Sequence, residues 1–356
     1  DTAAHPVSRR FLREARVTGQ LEHPSIMPVY EIGEREDGRF YYAMRLVRGR
    51  SLADAIEGAD SLADRLALLP HFRDLCNAIA YAHSRDVIHR DLKPDNVMLG
   101  EFGETVVLDW GIAKVLGEPD ESREELAEGL ERLRQDAGLT VAGQAMGTPH
   151  YMPPEQATGE LEKVDPRSDV YSLGAVLYEL LTGEPPLEGT NAREVLTRVV
   201  TVAPPRVEER QPDAPPALAA VAHKALAKRP GDRYDSAAEL TRELERFMSG
   251  QRVAAHDYSA WEVLRLFVRR HRAWVAVAAG LLLAVVATAV VTGVFYNRER
   301  GLRQREATAR QDEAAARQRA ERARQRLQRA LAAETRERRL ASLRLAQAYA
   351  EKARRM

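Results

Sequence analysis

The pattern of apolar residues divides the chain into three parts. Residues 1–250 alternate short β-branched runs, such as 105–108, with amphipathic helical stretches, such as 170–181, and Pro and Gly separate them. Residues 273–296 form an uncharged run of 24. From residue 297 the chain is mainly Ala, Arg, Gln and Glu, a composition that favours helix. The pattern predicts a mixed α and β globular part, an apolar helix and a polar helix.

The uncharged run is long enough to cross a bilayer. As a helix, its 24 residues span about 36 Å at ~1.5 Å per residue. Trp274, Phe295 and Tyr296 lie at its ends, where interfacial aromatic residues are usual. We interpret 273–296 as a transmembrane helix, because a buried core helix is seldom so long and uncharged. Arginines flank both ends, so the positive-inside rule does not decide the orientation.

The residues before this run, 249–272, form a juxtamembrane linker. Trp261, Leu264 and Phe267 recur there at helical spacing beside several arginines. Such a pattern is typical of a helix that lies along the membrane surface, and a solvated linker is the alternative.

The residues after the run, 297–356, carry a strong positive charge. They hold 18 of the 53 basic residues and 8 of the 53 acidic ones. A charged helix face explains this composition better than nucleic-acid binding, so no nucleic-acid partner is expected. Leu327 and Leu331 are too few to decide between a single long helix and a coiled coil that joins a homodimer.

Two motifs between residues 87 and 111 carry the candidate chemistry. The first reads Val-Ile-His-Arg-Asp-Leu-Lys-Pro-Asp-Asn-Val-Met-Leu from Val87, and the second is Leu-Asp-Trp-Gly from Leu108. Either motif alone would be a weak signal, but their order and spacing are specific. Together they resemble the catalytic loop and the metal-binding motif of the protein kinases, in particular the bacterial eukaryotic-like (Hanks-type) Ser/Thr kinases.

The resemblance implies ATP and Mg²⁺ as cofactors and assigns the reacting groups. Asp91 would orient the substrate hydroxyl and accept its proton, and Lys93 would contact the γ-phosphate. Asn96 and Asp109 would bind Mg²⁺, a hard cation that prefers oxygen ligands. A lysine two positions after the base is the Ser/Thr-type pattern.

Further residues would contact the nucleotide. The resemblance makes Glu14 the partner of a strand lysine and Met44 the gatekeeper. It places the backbones of Arg45 and Val47 against adenine. Without the resemblance, Glu14 would be an ordinary surface residue of a helix, and the segment around Met44 an ordinary core strand.

Other residues would hold the fold. By the same resemblance, Asp169 braces the catalytic loop from inside a buried helix. Glu155, in a Pro-Pro-Glu variant of the usual Ala-Pro-Glu, would pair with Arg233.

Three residues have implied regulatory roles. Arg90 precedes the catalytic base and would lack a partner until Thr140 is phosphorylated, whereas Thr148 would contact the catalytic loop. An ordinary loop residue is the alternative for Thr140. The residues between the Asp-Trp-Gly motif (109–111) and the Pro-Pro-Glu motif (153–155) include a charged stretch, 118–134. We expect this stretch to be an inserted helix, either for partner docking or as a solvated spacer.

The sequence contains no Gly-x-Gly-x-x-Gly loop and no Val-Ala-x-Lys strand, and the resemblance covers residues 5–248. We expect both elements immediately upstream of Asp1, so that residues 1–356 alone would bind ATP poorly and be nearly inactive.

The sequence thus predicts a two-lobed α+β protein kinase fold with an incomplete small lobe at 1–248. A linker (249–272), one transmembrane helix (273–296) and a basic helical or coiled-coil segment (297–356) follow it. The expected function is phosphorylation of protein substrates in membrane-linked signalling by a single-pass protein of the cell membrane. The kinase domain would be cytoplasmic, because ATP is. A pseudokinase scaffold and a membrane sensor without phosphotransfer remain alternatives.

Overall fold

The structure is a computed structural model that describes residues 6–36, 39–120, 122–135 and 149–354. It contains two compact units, Asp1–Arg270 and His271–Met356. The first unit is the two-lobed α+β domain that the sequence predicts, and the second is a long helix.

The small lobe contains one helix and two strands within the described ranges. Helix α1 (Pro6–Gly19) packs on the antiparallel pair of β1 (Val29–Glu34) and β2 (Phe40–Met44). The ring of Phe11 on α1 stacks on that of Tyr42 on β2, with 4.5 Å between the centroids. This contact holds α1 against the sheet, on the side that faces the large lobe's loops.

The large lobe is mainly helical. Its strands are β3 (Gly49–Ser51), β4 (Val87–Ile88), β5 (Val97–Gly100), β6 (Thr105–Val107) and β7 (Lys114–Val115), which form an antiparallel sheet in the order β3-β5-β6 and a separate pair β4-β7. Its helices are α2 (Leu52–Glu57), α3 (Leu62–Leu66), α4 (Leu69–Ser84), α5 (Arg123–Gln135), α6 (Pro154–Ala157), α7 (Pro166–Thr182), α8 (Ala192–Thr201), α9 (Val207–Arg210), α10 (Pro216–Ala225) and α11 (Ala237–Met248).

Helix α7 is the centre of this lobe. It begins with a capping box between Asp165 and Ser168, with Pro166 in the first turn, and ends at Gly183 in the left-handed conformation. The helix is apolar on nearly all sides because it packs against α10, α11, α4 and α3. At Gly174 a Cβ atom would lie 2.6 Å from the Cβ of Ala225, so only glycine allows α7 and α10 to approach so closely.

The charged stretch 118–134 contains the predicted helix, α5, which starts at Arg123. The solvated-spacer alternative is wrong, because one face of α5 is buried. Leu126 and Leu130, four residues apart, are each 2% exposed and pack in a cluster with Ile88, Met152 and residues of α8. The helix is therefore part of the large-lobe core.

The domain continues past the predicted boundary at residue 248. Val253 is buried, and the carboxylate of Glu243 accepts hydrogen bonds from the backbone N–H groups of Ala254 and Ala255 at 2.6 and 3.2 Å. The boundary after 248 is therefore too early, since the first part of the expected linker packs on the large lobe. The rest of the linker forms helix α12 (Ala260–Arg270).

The second unit consists of helix α13 (Arg272–Arg354), 83 residues long. It confirms the predicted helical character of the polar segment as far as Arg354. In the described part of the chain, α13 is the one helix long and apolar enough to cross a membrane by length and composition, with a mean hydropathy of 2.5 in its apolar window. Beyond that window its exposed surface carries i,i+4 Glu–Arg pairs, such as Glu299 with Arg303 at 2.6 Å.

Replacing Leu126 by Ala tests whether α5 belongs to the core. We expect the free energy of unfolding to fall by about 2 to 5 kcal/mol, because the change leaves a cavity. Urea unfolding of the full-length protein in detergent, followed by tryptophan fluorescence to which the buried Trp110 contributes, measures the loss. The control is Glu128→Ala on the exposed face of α5, for which we expect a change within about 0.5 kcal/mol. Equal effects of the two variants would contradict the packing of α5.

Candidate active site

The three predicted catalytic residues converge in the loop between β4 and β5. The amide nitrogen of Asn96 donates to the backbone oxygen of Asp91 at 2.8 Å and to its carboxylate Oδ2 at 3.2 Å. The ammonium group of Lys93 lies 3.5 Å from the same Oδ2. Asn96 is held by the 3₁₀ turn Pro94–Asn96 that leads into β5. The loop therefore presents one carboxylate with a cation and an amide beside it.

The backbone before Asp91 is fixed by a buried carboxylate on α7. The Asp169 carboxylate accepts hydrogen bonds from the backbone N–H groups of His89 and Arg90, each at 2.9 Å. It accepts a third from the ring nitrogen Nε2 of His83 at 2.8 Å. Burial alone raises the pKa of Asp169, but the hydrogen bond and charge of His83 outweigh it, so the pKa lies below its ordinary value. Asp169 is thus an anion that accepts hydrogen bonds from the loop.

The predicted metal ligands lie on adjacent segments. The N–H of Leu108 donates to the backbone oxygen of Asn96 at 2.8 Å, which places Asp109 beside the catalytic loop. Asp109 has a left-handed φ of 58°, and its Oδ1 accepts the N–H of Gly111 at 3.2 Å. Because the amide N–H groups of Asn96 point to Asp91, its Oδ1 is the atom that suits a cation. One amide oxygen and one carboxylate fit the oxygen preference of Mg²⁺.

Trp110 fixes the two segments against each other. Its side chain is 1% exposed and lies against the ring of His89, with 4.5 Å between the centroids. The His89 ring is itself held at both nitrogens, since Nε2 donates to Leu108 O at 3.1 Å and Nδ1 accepts the N–H of Asp91 at 3.2 Å. The ring therefore connects the metal motif to the catalytic loop.

Comparison with known protein families gives a match over most of the chain. The protein kinase domain family matches residues 2–265. The chain belongs to the protein kinase family.

Similar proteins include Ser/Thr kinases of several bacteria. The chain is 39% identical over 273 residues to Serine/threonine-protein kinase PknD of Protochlamydia amoebophila, covering 70% of this chain and 27% of that protein. It is 40% identical over 245 residues to Serine/threonine-protein kinase PknB of Mycolicibacterium smegmatis, covering 68% and 36%. PknD of Chlamydia pneumoniae is 36% identical over 267 residues, covering 70% and 28%. The matched part thus spans 27% to 36% of these relatives.

Glu14, for which a role beside the nucleotide is predicted, lies on α1 against β2. Its Oε1 accepts the hydroxyl of Tyr42 at 3.1 Å. Burial raises the pKa of Tyr42 to about 12, and the charges of Glu14 and Asp109 add to the rise. The Tyr42 phenol is therefore affected by the charges of both carboxylates, and it is bonded to that of Glu14.

The predicted adenine contacts lie after β2. Met44 ends the strand and is 51% exposed, and Val47 is half-buried in the irregular segment that follows. The side chain of Arg45 turns to Glu104 at 2.8 Å, which leaves its backbone as the part that could contact a base.

The kinase contains the predicted ion pair of Glu155 and Arg233. Arg233 donates to both carboxylate oxygens at 2.8 and 2.9 Å, and Ser168 donates to Glu155 Oε1 at 2.6 Å. Both residues are buried, and Arg233 also lies over the Tyr171 ring. The pair joins α6 to the start of α7 and the loop before α11.

The reason for the predicted role of Thr140 is wrong in one respect. Arg90 has a partner, because its Nη1 and Nη2 donate to the two carboxylate oxygens of Asp120 at 3.0 and 2.6 Å. Asp120 lies in the charged stretch, 30 residues away, where no sequence signal marked it. Thr140 and Thr148 themselves lie outside the described residues, so their roles stay predictions.

The sequence also gave no sign of Glu179. This residue of α7 accepts the hydroxyl of Tyr151 at 2.6 Å. Burial raises the pKa of Glu179 to about 7, the hydrogen bond from Tyr151 opposes the rise, and the charge of Asp95 on the catalytic loop adds to it. A glutamate in an amphipathic pattern does not reveal such burial.

Glu179 predicts a pH dependence of stability. Its pKa is raised from 4.5 to about 7 on folding. The stabilising contribution is therefore complete below about pH 4.5 and is lost as the pH rises through 7, by about 3 kcal/mol. For Glu179→Gln, which stays neutral, we expect the free energy of unfolding relative to the wild type to increase by about 2.5 kcal/mol between pH 5 and pH 9, because a small part of the loss precedes pH 5. Urea unfolding across this range measures it.

Exposed Glu131→Gln on α5 is the control, for which the difference from the wild type should stay constant with pH. Parallel pH profiles of the wild type and Glu179→Gln would contradict the raised pKa.

Proposed function

We propose that the full-length protein transfers the γ-phosphate of ATP to Ser and Thr hydroxyls of protein substrates, with Mg²⁺ as the metal. The observation that carries the proposal is the Asp91 carboxylate, with Lys93 at 3.5 Å and the Asn96 amide at 3.2 Å. Phosphoryl transfer needs positioning and charge stabilisation more than covalent help from the protein, and this loop offers both.

Each residue would have a separate task. Asp91 would align the hydroxyl and accept its proton, while Lys93 would balance charge on the phosphoryl group. Asn96 and Asp109 would hold Mg²⁺, which supplies charge neutralisation for the phosphate oxygens. Glu14, Met44 and the backbones of Arg45 and Val47 would contact or orient the nucleotide. The carboxylate and amide oxygens of Asp91, Asn96 and Asp109 suit a proton or a cation, and the ammonium group of Lys93 suits a phosphate.

The proposal extends to the membrane. Residues 273–296 would cross the bilayer once in the cell membrane, with the kinase domain in the cytoplasm, where ATP is. The exposed side chains of Trp261 and Leu264 on α12 support a helix that rests on the membrane surface. The long helix α13 beyond the span would join two copies of the protein, and protein substrates would be the other partners.

A pseudokinase scaffold that binds partners without phosphotransfer is the rival function. A scaffold would not require a carboxylate at position 91. In the structure the side chains of Asn96 and Lys93 both contact the Asp91 carboxylate, as a site for phosphotransfer requires. Phosphotransfer is therefore the better supported function.

Asp91→Asn tests the catalytic role. In the full-length protein we expect at least about a hundredfold loss of phosphate transfer, because Asn cannot accept the hydroxyl proton. Binding of ATP and Mg²⁺ should persist, since Asp91 contacts neither. Transfer of radiolabelled phosphate to a generic protein substrate measures the first effect, and nucleotide titration measures the second. Undiminished transfer by Asp91→Asn, or none by the wild type, would contradict the proposal.

Protease treatment of intact cells tests the topology. We expect added protease to spare residues 1–272 and to cut within 297–356, because the two parts would lie on opposite sides of the membrane. Immunoblots with antibodies to each part show the result, and lysed cells provide the control for accessibility. Cleavage of the kinase part in intact cells would reverse the orientation.

A further inference from the structure

Arg90, the residue directly before Asp91, forms an ion pair with Asp120. The Arg90 side chain is fully buried and that of Asp120 is 14% exposed. Besides its two bonds to Asp120, Arg90 donates to the hydroxyl of Ser122 at 3.1 Å. Burial alone raises the pKa of Asp120, but the hydrogen bonds and charge of Arg90 outweigh it and hold the pKa below its ordinary value. Asp120 is therefore ionised at neutral pH.

Asp120 is fixed from its own side as well. Ser122 donates to Asp120 Oδ1 through its hydroxyl at 2.8 Å and through its N–H at 3.3 Å. The carbonyl of Ser122 accepts the N–H of Leu126, so the acidic residue is tied to the start of α5. Leu126 in turn is in the core. The carboxylate is thus held in place by a packed helix.

A second arginine contacts the same element. Arg13 on α1 lies 3.5 Å from the Glu125 carboxylate in the first turn of α5, and donates to the backbone oxygen of Gly111 at 3.3 Å. Its neighbour Glu14 accepts a hydrogen bond from Tyr42 on β2 at 3.1 Å. The start of α5 therefore pairs with one arginine of the catalytic loop and with one of the small-lobe helix.

Arg90 needs to be held from several directions. Its φ is 70°, a left-handed conformation that is strained for a residue with a side chain. Asp169 holds its N–H at 2.9 Å, and Gln156 donates to its carbonyl at 3.1 Å. Asp120 holds its guanidinium group. The next residue along the chain is Asp91, so these contacts hold the backbone directly before the proposed catalytic carboxylate.

We propose that Asp120 is a positioning residue that supplies, within the chain, the negative charge that orders Arg90 and the catalytic loop without a phosphate on Thr140. A phosphate carries about −1.5 to −2 charge and orders loops by such pairing with arginine. Here both Nη atoms of Arg90 already donate to one carboxylate. This inference rests on the proposed kinase activity.

Asp120→Ala and Asp120→Asn in the full-length protein provide the first test. We expect kcat to fall about tenfold or more, because a buried arginine loses its counter-ion, while KM for ATP stays the same. Glu128→Ala, which removes an exposed ion pair on α5, is the matched control and should keep its turnover. In contrast to the role of Thr140 expected from the sequence, the inference requires that wild type treated with phosphatase, and Thr140→Ala, both keep the turnover of untreated wild type.

Chemical rescue separates positioning from loss of folding. Formate added to Asp120→Ala can restore a carboxylate beside Arg90, so we expect turnover to rise with formate concentration. Formate should not help Arg90→Ala, and thermal unfolding should show both variants folded at the assay temperature.

Three outcomes would overturn the inference. They are wild-type turnover by both Asp120 variants, loss of turnover after phosphatase treatment, and no gain with formate in a folded Asp120→Ala protein. Absence of phosphate transfer in untreated wild type is a different failure, because it would refute the proposed function and the inference with it.

Discussion

The catalytic loop depends on one buried carboxylate, that of Asp169. It lies in the first turn of α7, where the positive end of the helix dipole favours an anion. It accepts the N–H groups of His89 and Arg90, and so holds the backbone at the left-handed Arg90. Because α7 is packed on nearly all sides, this carboxylate has little freedom to move. The position of Asp91 follows from the packing of α7.

The local part of the site could be predicted from the sequence. Asp91, Lys93 and Asn96 lie within six residues, so the conformation of one loop brings them together. Asp109 comes close because Leu108 bonds to Asn96. The pair of Glu155 and Arg233 is separated by 78 residues, and only the resemblance to the kinase family indicated it. Prediction was reliable where spacing was short or a family motif marked both partners.

The Arg90–Asp120 pair could not be predicted, because its partners are 30 residues apart and no family motif marks Asp120. Charged residues in a stretch such as 118–134 usually face solvent, and nothing in the sequence distinguishes Asp120 from its acidic neighbours. Leu126 and Leu130, at helical spacing, were the available signal that this stretch has a buried face. The early boundary at 248 has a similar cause, because the burial of Val253 depends on the large lobe and not on local sequence.

Buried charge explains why these contacts matter for geometry more than for stability. A buried ion pair contributes little to the free energy of folding, because the cost of desolvating both charges offsets most of their attraction. An unpaired buried charge is strongly destabilising. Arg233 and Arg90 are both fully buried, so each is confined to positions where its carboxylate meets it. Arg233 joins α6 to the start of α7, whereas Arg90 is covalently next to Asp91. A carboxylate fixed by the core packing of α5 would therefore act on Asp91 through Arg90, which is how we infer that an inserted helix contributes to the active site.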